Sequence, residues 1–170
     1  MSAEDMPGTI RLPQPEEIPE RERDDAMAAY LMMFASLAIG LPIPLVNLIA
    51  SVIYFLVNRK SSPFTAFHSL QALLTHVPVV LLNAGAVGWL IGILVSQAGF
   101  HAGYFWYLFF TVLVNISYIV WSIVALIHAH KGRLFYMPVV GRFCFSRYYG
   151  ARARARREKP RWENKPPEGI

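Results

Sequence analysis

The side chains best suited to chemistry in this sequence are its five histidines, and their spacing does not favour a metal site. His128 and His130 lie two residues apart, so they point to different sides of a helix. His68 and His76 are eight residues apart and diverge by about 80° on a helical projection. No cysteine or carboxylate lies close enough in sequence to complete a zinc coordination sphere. We therefore expect no metal and no cofactor.

A catalytic nucleophile is not indicated either. Ser117 and Ser122 lie in an apolar run without an acid to orient a base. The single cysteine, Cys144, can form neither an intramolecular disulfide nor a cysteine-rich site. The sequence also lacks the motifs of phosphate loops, zinc proteases and serine hydrolases. These observations predict a non-enzymatic protein.

The composition shows which elements must position these residues. Hydrophobic residues make up 55% of the chain and charged residues 16%, whereas soluble domains are about 25% charged. Residues 1–25 carry a net charge of −5 and residues 131–170 carry +8, while Ser61 to His130 contain no Asp, Glu, Lys or Arg. A water-soluble surface cannot be built from such a stretch, so the sequence predicts an integral membrane protein.

The apolar region divides into helices at its prolines and polar turns. One continuous helix over residues 26–57 would be about 48 Å long, whereas the hydrocarbon core is about 30 Å thick. Gly40-Leu41-Pro42-Ile43-Pro44 supplies the break. The expected fold is all-α: a polytopic membrane helix bundle of four transmembrane helices, the first two short, at roughly 26–40, 43–58, 64–97 and 104–130. A re-entrant hairpin or a single crossing are alternatives for residues 26–58.

The charge pattern divides the chain and orients it. Residues 1–25 are expected to be an acidic disordered arm, 26–138 the transmembrane domain and 139–170 a basic interfacial or cytoplasmic tail. The positive-inside rule places Arg59, Lys60 and the tail in the cytoplasm, and four crossings then place both termini there. A three-crossing alternative moves the N-terminal arm outside. The acidic start is unlike a cleaved secretory signal, so we expect the bacterial plasma membrane.

Polar side chains form stripes along the predicted membrane helices. Because lipid leaves their hydrogen-bonding groups unpaired, the stripes are expected to face one another. They serve either as hydrogen bonds between helices or as the lining of a polar path in a small channel or carrier. The absence of intramembrane carboxylates argues against an ion-coupled pump. The stripe residues are Asn47, Ser51, Thr75, Asn83, Thr111, Asn115, Tyr118 and Ser122.

Two further patterns concern partners. Gly88 and Gly92 form a G-x-x-x-G pair, which allows close helix packing within the chain or in a homodimer. The basic tail is expected to bind anionic lipid headgroups; its alternatives are contact with ribosomal RNA, an acidic protein partner or the chain's own acidic arm. Other nucleic-acid binding is not expected. The tail residues concerned are Arg152, Arg154, Arg156 and Arg157.

Two segments together resemble a known family. The run from Ser62 to Leu73 resembles an S-P-F-x-x-F-H-x-x-Q-A-L signature, and the run from Ala129 to Pro138 resembles a closing A-x-x-G-x-x-x-x-x-P segment. These signatures are typical of a bacterial membrane family related to the twenty-kilodalton subunit of the chloroplast inner-envelope translocon. The positions that carry the resemblance are Pro63, Phe64, Phe67, His68, Gln71, Ala72, Gly132, Tyr136 and Pro138.

The resemblance implies a four-helix membrane domain and a role within a larger membrane complex. Protein translocation is the role implied by the plastid relative, either as a component or as an assembly partner. His68 and Gln71 lie one turn apart at the start of a helix, where they can bond the loop backbone and fix the entry angle of the chain.

Overall fold

The computed structural model describes residues 12–32, 44–97 and 99–150, which form helices and connecting turns without a strand. The all-α class is therefore confirmed for this part of the chain. A 3-10 turn at Pro15–Glu17 precedes the first helix, and a π-helical turn at Ser146–Gly150 follows the last. The helices are α1 (Glu20–Leu31), α2 (Pro44–Asn58), α3 (Pro63–Ser96), α4 (Ala102–His130) and α5 (Gly141–Phe145).

Two of these helices, α3 and α4, are long and apolar enough to cross a membrane. Their 34 and 29 residues correspond to about 51 Å and 44 Å at 1.5 Å per residue. The mean hydropathy of their most apolar stretches is 2.1 and 2.2, yet only 22% and 17% of those stretches is buried. The core helices of a soluble protein would be mostly buried, so this exposed apolar surface is that of a membrane protein.

The shorter α2 packs antiparallel along α3. Its 15 residues span about 22 Å, which is less than the hydrocarbon thickness of about 30 Å. The described residues thus contain two helices of spanning length, where the sequence predicts four. Most of the predicted helix at 26–40 and the break before Pro44 lie outside the described residues, as do Arg152, Arg154, Arg156 and Arg157.

The N-terminal segment differs from its expected form. Residues 1–11 lie outside the described residues, but α1 already begins at Glu20, within the stretch expected to be a disordered arm. Six of its twelve residues are charged, and it packs against α3 and α4. The Arg23 guanidinium stabilises its start by donating hydrogen bonds to the carbonyls of Ile18 and Pro15 at 2.8 and 2.7 Å.

The main core lies at one end of the bundle, where α1 and the segment after α4 cover the start of α3 and the end of α4. We call residues 12–31 and 132–150 the cap. Alanines at the contacts allow the helices to approach closely, and larger side chains fill the space between them. The core residues are Ile18, Ala26, Ala29, Tyr30, Phe64, Ala72, Ala125, Ala129 and Met137.

Candidate functional site: the polar cluster under the cap

The start of α3 is fixed by local hydrogen bonds and by α1. Ser62 is the N-cap residue, and its hydroxyl oxygen accepts from the backbone N–H of Thr65 at 3.1 Å. Pro63 follows at the first helical position, where its missing N–H costs nothing. The Thr65 hydroxyl donates to the carbonyl of Glu22 at 3.2 Å. These contacts explain why a Ser-Pro pair opens this helix and how α1 is joined to it.

His68 is fully buried one turn further along α3. Its Nδ1 lies 3.0 Å from the hydroxyl of Tyr30 on α1, and its Nε2 is buried without a hydrogen-bond partner among the described residues. The rings of Phe64 and Phe67 contact the imidazole edge to face, with centroids 4.6 and 5.0 Å away. The imidazole is therefore a packed core group.

Gln71 joins three parts of the structure. Its Nε2 donates to the Tyr30 hydroxyl at 2.9 Å and to the carbonyl of Phe135 at 3.0 Å. Its Oε1 accepts from the backbone N–H of Met137 at 3.2 Å. Gln71 does bond loop backbone, as the sequence suggests, but that backbone belongs to the segment after α4. One side chain thus ties α3 to both halves of the cap.

The directions of these bonds follow from the donors present. The Tyr30 oxygen accepts from Gln71, so its own hydrogen is available to His68 Nδ1. The neutral imidazole then carries its proton on Nε2. Burial raises the pKa of the Tyr30 phenol, which keeps this donor protonated. The cluster is thus an uncharged network in which Tyr30 links His68 to Gln71, while His68 Nε2 has no hydrogen-bond partner in the described part of the chain.

Gly132 lets the chain turn back over this cluster. Its φ of +68° is a left-handed conformation, and a Cβ there would lie 3.0 Å from the carbonyl oxygen of Pro15 and 3.2 Å from its Cα. Both the backbone angle and the close approach to the N-terminal segment therefore require glycine. Tyr136 and Pro138 lie further along, on the exposed side of the same turn, and the Tyr136 ring contacts Phe67. Ala72 is buried in the core below.

Below the cap, the stripes of α3 and α4 meet. Asn83 and Asn115 exchange amide hydrogen bonds at 3.1 and 3.3 Å. His76 Nδ1 lies 2.7 Å from the hydroxyl of Tyr118. Thr111 and Ser122 are also buried. The Thr111 hydroxyl has no hydrogen-bond partner among the described residues, so the structure joins the two longest helices through the Asn83–Asn115 and His76–Tyr118 pairs.

Other stripe residues bond within their own helices. The Ser51 hydroxyl donates to the carbonyl of Asn47 at 2.9 Å. The Thr75 hydroxyl donates to the carbonyl of Gln71 at 2.8 Å. These bonds satisfy the side chains without a second helix. The stripe of α2 is joined to the cap instead, because the Tyr54 hydroxyl donates to the carbonyl of Asp25 at 2.7 Å.

Gly88 and Gly92 on α3 face open space in the described structure. A Cβ at Gly88 or Gly92 would meet no atom within 4 Å, whereas one at Gly85 would meet the Tyr107 hydroxyl. Within the described chain, Gly88 and Gly92 therefore do not serve close helix packing.

The described residues hold no group of three or more His, Cys, Asp or Glu side chains that could bind a metal ion. Asp24 and His130 approach to 3.7 Å on the exposed side of the cap. Cys144 is buried against the core, and burial raises the pKa of its thiol to about 12. The candidate site in this part of the chain is thus the buried, neutral hydrogen-bond network of Tyr30, His68 and Gln71.

Tyr30 is the member of this network that the sequence reasoning missed. Tyr30 lies in the apolar run that predicts a membrane helix at 26–40, and no motif connects it to α3. One signal was present: α1 places Ala26, Ala29 and Tyr30 on a single face at helical spacing.

Comparison with known proteins corrects the family expected from the sequence. The model of the magnetosome magnetite crystal formation protein family (MamF/MmsF) matches residues 22–144. No curated protein and no solved structure matches the chain. The expected relationship to the chloroplast translocon subunit is therefore wrong, and translocation has no support.

The physical reason for the error is visible in the cap. The two quoted motifs supply the helix start, the buried cluster and the glycine turn, so they report how helices pack and carry no information about a passenger. The matched region runs from α1 to α5 and so contains the whole buried network. By that match, the chain belongs to the magnetosome magnetite crystal formation protein family.

Proposed function

We propose that this protein is a non-enzymatic component of the magnetosome membrane that supports magnetite crystal formation. The observation that carries this proposal is the family match over residues 22–144, which covers the two long apolar helices and most of the cap. We include no reaction, because Tyr30, His68 and Gln71 are buried and hydrogen-bonded to one another, which keeps them away from a substrate.

The proposed orientation follows from the distribution of charge. The described charged residues lie in the cap and the neighbouring loops, including Arg59 and Lys60, whereas the turn from Gln97 to Gly103 contains none. The positive-inside rule then places the cap in the cytoplasm and the uncharged turn in the magnetosome interior. In this arrangement the cap is the surface available to cytoplasmic or membrane partners, and the protein acts as a component or assembly partner of a larger complex.

A small channel or carrier is the second candidate, because polar groups lie between α3 and α4. The side chains there favour a structural role instead. Asn83 and Asn115 satisfy each other, and His76 and Tyr118 are in contact. Polar groups that pair across a helix interface contribute to packing, whereas those lining a path must be free to bind the passenger.

Complementation tests the proposal. The chain would be expressed in a magnetite-forming bacterium whose own family member has been deleted, and crystal diameters would be measured by electron microscopy. We expect the protein in the magnetosome membrane after alkaline extraction, with crystals restored to their normal size. Gly132→Ala should fail to restore them, whereas the matched control Gly99→Ala, at an open position, should succeed. Membrane-embedded wild-type protein without any effect on crystal size would overturn the proposal.

A further inference from the structure

A groove outside the buried network lies where α2, α3 and α5 meet. It encloses about 620 Å³, within the roughly 300–1,000 Å³ typical of small-molecule sites. We propose that it binds the headgroup and upper acyl chain of an anionic phospholipid. This inference is independent of magnetite formation, because it concerns the bilayer around the protein.

The groove is lined by three cations. Arg59 and Lys60 come from the loop after α2, and Arg147 comes from the π-helical turn after α5. No Asp or Glu lines the groove, and within the described residues none of the three cations forms an ion pair. Three like charges without an acidic partner among the described residues repel one another, so an anion bound among them would be stabilised.

The rest of the lining is apolar. It consists of Phe55, Pro63, Leu70, Phe143 and Tyr148. The Phe143 side chain is 58% exposed, although a large aromatic ring gains free energy when it leaves water. The groove therefore combines a cationic rim with an apolar wall, which is the chemistry of an amphiphile with an anionic head.

The apolar wall leads from the cations toward the membrane. The N–H of Arg59 donates to the carbonyl of Phe55 at 2.8 Å, so Phe55 lies one helical turn before Arg59, inside α2. Val52 and Leu56, both exposed, continue the same face at helical spacing. Leu70 lies about 10 Å along α3 from its start at Pro63. An acyl chain can follow this face while its phosphate stays beside Arg59.

A lipid fits these features better than a free anion or an acidic protein segment. Inorganic phosphate would leave the apolar wall without contacts. An acidic peptide approaching from water would meet the cations but not the face of Val52 and Leu56, which points toward acyl chains. The charge and the direction of the wall together therefore identify a phospholipid.

Lipid titration tests the proposal. The full-length protein, purified in detergent and stripped of lipid, would be titrated with phosphatidylglycerol, with phosphatidylcholine of the same acyl chains and with inorganic phosphate, and bound lipid counted by native mass spectrometry. The triple variant R59Q/K60Q/R147Q should bind phosphatidylglycerol at least about tenfold more weakly than the wild type. The matched control K131Q/R133Q/R142Q removes the same charge from exposed residues in or next to the cap and outside the groove and should stay within about twofold.

Further measurements in the same titration identify the ligand. Phe143→Ser should weaken phosphatidylglycerol binding without changing the response to phosphate, and phosphatidylcholine should bind more weakly than phosphatidylglycerol throughout. Each variant must keep the wild-type helicity and unfolding midpoint in the absence of lipid. Equal losses in the two triple variants would show that affinity follows net charge and would overturn the proposal. So would equal binding of the two lipids. An acidic peptide titrated in the same way should not bind; binding of this peptide without binding of phosphatidylglycerol would also overturn the proposal.

Discussion

The amide of Gln71 on α3 donates a hydrogen bond to the hydroxyl of Tyr30 on α1 over 2.9 Å, although the residues are 41 positions apart in sequence. The same amide donates to the carbonyl of Phe135, and its oxygen accepts from the N–H of Met137. A single buried side chain therefore connects the segments before and after the membrane helices. This connection explains how residues of opposite charge near the two ends of the chain come to share one side of the bundle.

Replacing Gln71 by leucine should loosen the cap. Gln71→Leu leaves the Phe135 carbonyl and the Met137 N–H unpaired in the core, which should cost about 2–3 kcal/mol of unfolding free energy. The measurement is the unfolding midpoint in detergent. Thr75→Val is the matched control, because the Thr75 hydroxyl bonds only carbonyls of its own helix. An equal loss in both variants would contradict the role assigned to Gln71.

Tyr30→Phe should show that the hydroxyl, more than the ring, holds α1. The substitution keeps the ring in the core but removes the partner of His68 and Gln71, at an expected cost of about 1–2 kcal/mol. Tyr136→Phe removes the hydroxyl of a tyrosine that is 46% exposed and should change stability by less than about 0.5 kcal/mol. A double-mutant cycle with Gln71→Leu should be non-additive; additive losses would mean that the two side chains are not coupled.

Gly132→Ala should destabilise the turn over the polar cluster. The added Cβ meets the Pro15 backbone and the residue must keep its positive φ, so we expect a loss of about 1–3 kcal/mol. Gly92→Ala, on the open face of α3, should cause no loss of stability, because alanine favours helix. The two variants can be compared by thermal unfolding. A destabilised Gly92→Ala protein would instead indicate that this face is packed against a partner.

Asn115→Leu tests whether the polar contact between α3 and α4 stabilises the bundle or lines a channel. Loss of the pair with Asn83 should cost about 0.6 kcal/mol, the average for hydrogen bonds between membrane helices. Solute flux through reconstituted vesicles should equal that of protein-free vesicles for both wild type and variant. Flux through the wild type that Asn115→Leu alters would support the channel.

Cys144 provides a pH test of the packing of α5. Burial raises the pKa of its thiol from 9.0 to about 12. The folded state therefore favours the protonated form: this stabilisation is complete below pH 9 and is lost as the pH rises toward 12. A thiolate-selective reagent at pH 8 should label Cys144 slowly until the protein unfolds. The exposed control Ser146→Cys should react quickly. Equal rates at the two positions would contradict the buried location of Cys144.

The sequence predicts the parts of this fold that depend on local pattern. The charge-free stretch indicates the two long helices, and the expected start of the first of them near residue 64 lies one residue from its observed start at Pro63. The local pattern does not predict that α1 begins at Glu20, because six of its twelve residues are charged. Its short apolar face is stabilised only by packing against α3 and α4. Tyr30 was missed for the same reason. Its role depends on a contact across 41 residues, and such contacts follow from tertiary packing.

The functional assignment shows a similar limit. Residues such as His68, Gln71 and Gly132 are explained by their packing in the cap, and packing motifs carry no information on what a protein transports or builds. The sequence predicts that the polar stripes of the membrane helices face one another, because their hydrogen-bonding groups need partners. Which of them pair across helices, as Asn83 and Asn115 do, depends on the register of α3 against α4, and no single stripe determines that register.

Hydrogen–deuterium exchange of the full-length protein in lipid nanodiscs tests the capped bundle most directly. The backbone amides of α1 and of Met137 should exchange slowly in the wild type, because the cap buries them under the Gln71 network. Gln71→Leu should accelerate both segments together while leaving the middle of α3 protected, and Thr75→Val should change neither. If α1 and Met137 exchanged in the wild type as fast as an unfolded chain, the two segments would not form a cap, and the account would be contradicted.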